Sequence, residues 1–167
     1  RFWHYKYCLA TADGYKDTQV ANAISNRKSD TFVMGDSAGY QIGTGAFADT
    51  KQWKPHATDV KRIMRLWRTS DIPRSIIDWQ QANCDYAMSL DMPIWAKDKK
   101  SSPFHYLSAE QLIELTEENL TKTIDIIKTD YDNAPSCKML NVLQGEEIEQ
   151  EDMWYKAVTK YKLNGWA

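Results

Sequence analysis

Nowhere in the 167 residues do about 18 apolar residues follow one another, which excludes a helical membrane span. The start, Arg1 to Lys6, also lacks the apolar core that a signal peptide needs. Cysteine is scarce. Cys8, Cys84 and Cys137 are odd in number, far apart and never in a C-x-x-C pair, so neither a disulfide framework nor a zinc site is visible, and a reducing cytoplasm is the expected compartment. An excess of either charge is lacking too: a formal net charge of -2 excludes a generally basic coat for nucleic acid and leaves only local patches. His4, His56 and His105 share no spacing with a nucleophile, so a Ser/His/Asp or Cys/His triad has no support. No G-x-G-x-x-G opens a helix, and no Lys-Ser or Lys-Thr follows a glycine run to make a phosphate loop. A soluble globular domain remains, with 43% hydrophobic and 12% aromatic residues to build a core.

Glycine is sparse as well, seven in all, yet four of the seven fall between residues 35 and 45. There a β-type apolar run, Thr31 to Met34, leads to Asp36 and a loop holding Gly39, Gly43 and Gly45, so a buried strand delivers a carboxylate into backbone that can approach a ligand closely. Periodicity places helices over residues 16–27, Thr58 to Arg68 and Ile76 to Ala82. In the second of these Lys61, Arg65 and Arg68 form a stripe best read as a solvated face. A strand from Asp85 to Leu90 then ends on Asp91. The clearest helix starts at Ser108, whose capping box pairs with Gln111, and runs to about Asp130. Pro135 closes the connection to a strand over Lys138 to Leu143, ending on Gln144 and Gly145. The acidic stretch Glu146 to Asp152 opens a further helix with Trp154, Ala157, Val158 and Tyr161 on its inner face, and a new strand is expected after Lys162.

Strands alternating with helices predict an α/β fold with a parallel sheet and helical crossovers. Asp36, Asp91 and Gln144 end successive strands, 55 and 53 residues apart, and in a (β/α) barrel such ends converge on one mouth. An open doubly wound sheet would also put strand ends on one edge, so a partial TIM barrel is the preferred of two architectures. The chain does not begin with Met, and Asn164-Gly-Trp-Ala167 breaks off as an apolar run begins, so residues 1–167 are expected to be a fragment of a single barrel domain.

Two carboxylates and a carboxamide at strand ends suit two kinds of chemistry. An acid and a second carboxylate could flank a glycosidic bond. The same groups could read a base, because carboxylates accept from ring N–H and amino groups while a Gln NH2 donates to a carbonyl. Lys97, Lys99 and Lys100, on the loop after Asp91, either meet phosphates or form an ordinary solvated run. Asn119-Leu-Thr121 matches a glycosylation sequon, but it lies inside the helix expected after Ser108.

These residues also carry a resemblance. Asp36-Ser-Ala-Gly-Tyr-Gln41 resembles the DSGGFQ or DSGGYQ signature of the guanine transglycosylases, the queuine and archaeosine tRNA-ribosyltransferases and their DNA-modifying relatives, which exchange guanine in nucleic acid for a 7-deazaguanine. Asp85-Tyr-Ala-Met-Ser-Leu-Asp91 is similar to the family's D-x-x-M-x-x-D strand, Asn141-Val-Leu-Gln-Gly145 to its I-V-Q-G strand, and Asn164-Gly-Trp-Ala167 to its F-D-G-Y-A. The resemblance implies an eight-stranded barrel. It implies Asp36 as general acid/base at the departing and entering base, with Ser37 in the same pocket, Asp91 accepting from guanine N1–H and N2, Gln144 and the Gly145 backbone on the O6 edge, and Tyr40 stacking on the ring. The family's nucleophilic aspartate and its C-x-C-x-x-C and His zinc subdomain belong to later segments. No cofactor or metal is therefore expected within this chain, zinc being implied in the part that follows, and the fragment alone is expected to be inactive. Ala38, Pro93, Glu146 and Asp152-Met-Trp154 depart from the tRNA enzymes' pattern and favour the DNA-modifying branch, so DNA or tRNA stands as the partner, together with a 7-deazaguanine base; homo- or heterodimeric assembly is left open. A non-catalytic binding subunit of the same fold and an unrelated barrel glycosidase are the competing readings.

Overall fold

The computed structural model describes residues 6–12, 24, 26–131 and 137–167. Among them, five strands form one all-parallel sheet in the order β1-β2-β3-β4-β5: β1 (Tyr7–Thr11), β2 (Phe32–Asp36), β3 (Tyr86–Met88), β4 (Lys138–Asn141) and β5 (Gly165–Trp166). The fold is α/β. Between β2 and β3 lie α1 (Gly39–Thr44), α2 (Ala48–Lys51), a 3-10 turn (Lys54–His56), α3 (Val60–Thr69) and α4 (Ile72–Asn83). A second 3-10 turn (Ile94–Lys97) and the long α5 (Ala109–Asp130) follow β3, and α6 (Ile148–Val158) joins β4 to β5.

Local chemistry accounts for the helix boundaries. Asp59 caps α3, its Oδ1 accepting from Arg62 N at 3.0 Å, and the Ser108 box is complete in both directions. α4 begins a turn before Ile76 because Pro73 sits in its first turn, where a missing N–H costs nothing. α6 ends at Val158, so Tyr161 lies beyond it and not on its face as the periodicity suggested. The expected strands are found with shifted ends: β2 runs on to Asp36, whereas β3 and β4 stop at Met88 and Asn141. β1 was not anticipated. The helix expected over residues 16–27 lies outside the described residues except for Ile24, Asn26 and Arg27, and Pro135 lies outside them too.

The register puts Val33, Gly35, Ala87 and Met139 on one sheet face, all buried beneath the helices. Gly35 is needed there: a Cβ would come within 2.7 Å of Cys84 Sγ. α4 packs on α5 and α5 on α6, with Trp53, Trp67 and Phe104 in mutual edge-to-face contact at the heart of this layer. On α3, Lys61 and Arg65 are exposed, and Arg68 reaches Glu114 and Glu118 of α5, so the basic stripe is a solvated face tied down at one end. Opposite the helices the sheet carries Tyr7, Leu9, Phe32, Met34, Tyr86 and Met88, of which Tyr7 and Leu9 are 69% and 66% exposed. Among the described residues no helix is long and apolar enough to cross a membrane. All three cysteines are free thiols, and burial pushes those of Cys84 and Cys137 up to about 12, which leaves these two chemically quiet.

Candidate functional site

At the C-terminal edge of the sheet three chain segments meet. Asp36 is the last residue of β2 and shares a face with Phe32 and Met34; Asp91 and Gln144 each lie three residues beyond the end of their strands, in loops and not on the strands themselves. The Asp91 loop is held from behind by α5. Thr116 Oγ1 accepts from Met92 N at 2.9 Å, and Asn119 Nδ2 donates to Leu90 O at 3.3 Å while its Oδ1 accepts from the Trp67 indole at 3.0 Å. Both side chains are 1% exposed. Asn119 is therefore a clamp, and its burial closes it to glycosylation. Gln80 supports the strand itself, its Nε2 donating to Met88 O at 2.9 Å.

So clamped, the Asp91 carboxylate is buried at 5% exposure and both oxygens are engaged. Ser37 Oγ donates to Oδ1 at 3.1 Å, and Gln144 Nε2 donates to Oδ2. The carboxamide is oriented by its other end, where Oε1 accepts from Ile94 N at 2.9 Å. Burial pushes the Asp91 carboxyl up to about 6; the hydrogen bonds from its own backbone, Ser37 and Gln144 oppose that rise, and the neighbouring negative charge of Asp36 adds to it. Three expected site residues, Ser37, Asp91 and Gln144, are thus joined directly, with Asp36 near enough for its charge to be felt.

The glycine run is not the open loop expected. Gly39 to Thr44 forms α1, entered through Ala38 at φ 63 and closed by Gly45 at φ 67, so the only left-handed non-glycine among the described residues stands where the helix must turn away from Asp36. Gly39 lets α1 approach the site, since a Cβ would sit 3.4 Å from Asp91 Oδ1. Gly145 is glycine for a similar reason: a Cβ there would lie 2.7 Å from the Glu151 backbone nitrogen in the first turn of α6. Tyr40 leaves α1 65% exposed, with its ring 5.6 Å from that of Trp95. Trp95 escaped the sequence reading, although its place four residues after Asp91 was a usable signal.

A polar cleft of about 480 Å³ at the opposite end of the sheet is lined by Arg27, Lys28, Ser29, Asn83 and Asp85 among others. Its arginine is already committed, donating to Asn83 O at 2.8 Å and lying 3.7 Å from Asp85. The strand-end cluster is accordingly the candidate site. A scan against protein-family models and a search of curated proteins both return no match to this chain.

Proposed function

We propose that these residues are the base-recognition part of a guanine transglycosylase-like enzyme, which replaces guanine in DNA or tRNA with a 7-deazaguanine. One observation carries the reading. Side chains from three separate motifs, 54 and 53 residues apart, converge on a single buried carboxylate: Ser37 and Gln144 both donate to Asp91.

The hydrogen-bond inventory fits a guanine edge. Asp91 presents the two acceptor oxygens that the N1–H and 2-amino donors need, with part of their capacity already taken by Ser37, Gln144 and its own backbone N–H. Gln144 Nε2 has a second N–H that can donate to O6, and the Gly145 backbone lies beside it. Asp36 donates a proton to the departing base as the C1′–N9 bond breaks and takes one from the entering base, while Tyr40 supplies the stacking face. An aspartate outside residues 1–167 forms the new bond to C1′, dividing one displacement into two.

A barrel architecture is part of the proposal. Among the described residues the strand order runs β1 to β5 without the reversal that defines a doubly wound sheet, and the face opposite the helices is largely apolar, Lys138 lying over the Tyr86 ring, and partly open, as a barrel wall would be. The test is base exchange by the complete protein, with labelled guanine placed in duplex DNA and in tRNA. Release of label that depends on an added 7-deazaguanine is expected, and is expected to disappear in Asp36→Ala. Unchanged release in that variant would remove Asp36 from the chemistry, and no release from either nucleic acid would leave a binding protein.

A further inference from the structure

The loop that follows Asp91 carries three lysines, and the structure treats them differently. Lys97 is ion-paired with its neighbour Asp98, and Lys100 is exposed. Lys99 is half-buried, its Nζ 5.6 Å from the ring centres of both Tyr40 and Trp95. Among the described residues no carboxylate lies within ion-pair distance of it. Among these residues the cation is thus held over two aromatic faces with no carboxylate beside it.

That arrangement is anchored to the site on both sides. Tyr40 belongs to the helix that Gly39 lets down onto Asp91, and Ile94, next to Trp95, donates its N–H to Gln144. Trp95 and Pro93 occupy the space that a side chain on Gly43 would need: a Cβ there would fall 2.9 Å from Trp95 Cη2 and 2.5 Å from Pro93 Cγ. The two rings, tilted at 46° to each other, therefore have a fixed relation to Asp91 and Gln144.

We infer that Lys99 is a phosphate contact for the nucleic-acid strand entering the pocket, positioned by the Tyr40 and Trp95 rings beside the exchanged guanine. The inference rests on the reading of the cluster as a nucleic-acid base site. Its chemistry is simple: the rings hold the ammonium group at the pocket mouth by cation–π attraction, and a phosphodiester supplies an anion for it. A base flipped toward Asp91 brings its own phosphates to that mouth.

The test compares Lys99→Gln, Trp95→Leu and a remote control, Lys61→Gln, in binding a single-stranded oligonucleotide that contains one guanine, across a range of salt, with free guanine titrated in parallel. In Lys99→Gln the affinity is expected to fall about 3- to 10-fold, and the slope of log K against log salt to lessen by about 0.7, the value for one phosphate on a single strand. Trp95→Leu should weaken oligonucleotide binding as Lys99 and Tyr40 shift; Lys61→Gln should change nothing, and free guanine should bind the parent protein, Lys99→Gln and Lys61→Gln alike. An unchanged slope in Lys99→Gln overturns the inference, and so does a protein that binds guanine but no oligonucleotide. Oligonucleotide binding that depends on Lys99 without any guanine binding would instead overturn the base-pocket reading and leave the phosphate contact standing.

Discussion

Asp91→Asn is expected to weaken guanine binding severely while making the fold more stable at neutral pH. The two effects share one cause. Burial raises the Asp91 carboxyl to about 6, so between the ordinary carboxylate range and that value the folded chain holds a proton that the unfolded chain has released. Stability contributed by this group therefore falls as pH rises through that window, and above it the ionised form costs roughly 2 to 3 kcal/mol. A carboxamide escapes the penalty. Its oxygen can accept from Gln144 and its NH2 can donate to Ser37, whose hydroxyl reverses role without moving. A melting temperature higher by roughly 3 to 8 °C is expected near neutral pH, converging with the parent protein as pH falls below about 4. Guanine meets a donor where it needs an acceptor, so affinity should drop by about 100-fold. Thermal unfolding across pH and guanine titration check both halves; a variant less stable than its parent at neutral pH, or one that binds guanine normally, contradicts the role given to Asp91.

Asn119→Ala carries the largest expected stability loss. It strips the Trp67 indole N–H and the Leu90 carbonyl of their partners at once, in a place with no access to water, and leaves a small void. Unsatisfied buried groups of this kind cost about 2 to 4 kcal/mol together. Because Leu90 precedes Asp91, guanine affinity should fall as well. Thr116→Val, which frees the Met92 N–H and removes the hydroxyl's own bond to the helical carbonyl of Leu112, should cost about 1 to 2 kcal/mol. Denaturant unfolding of both variants gives the comparison. An Asn119→Ala protein within about 0.5 kcal/mol of its parent would mean that α5 does not hold the Asp91 loop.

These two residues mark the boundary of what sequence pattern can reveal. Asp91 was legible because a short apolar run ended on a polar side chain, and the same signal found Asp36 and the carboxamide of Gln144; the alternation of strands and helices carried the parallel sheet with them. Asn119 was not legible. A polar residue within a long amphipathic helix reads as solvated, and only the docking of α5 against Trp67 and Leu90 turns it inward. The glycine run failed for a related reason: Gly39 and Gly43 signal close approach, but whether to a ligand or to another part of the chain depends on where Asp91, Pro93 and Trp95 come to lie. β1 went unnoticed because Tyr7 and Leu9 lie exposed at a sheet edge, where burial imposes no alternation. Lys99 stood out as charge, and its meaning came from the two rings beneath it.

Asp91, Gln144 and Asp36 are proposed to meet a guanine ring. Calorimetric titration of the protein with guanine and with adenine, at about pH 7.5 and about pH 5, tests this most directly. Guanine is expected to bind at the higher pH and to weaken roughly tenfold for each pH unit below about 6, as Asp91 takes up its proton. Adenine, which offers an acceptor at N1 and no 2-amino group, is expected to bind at neither pH. Equal affinity for the two bases, or guanine binding indifferent to pH across this range, would contradict the assignment.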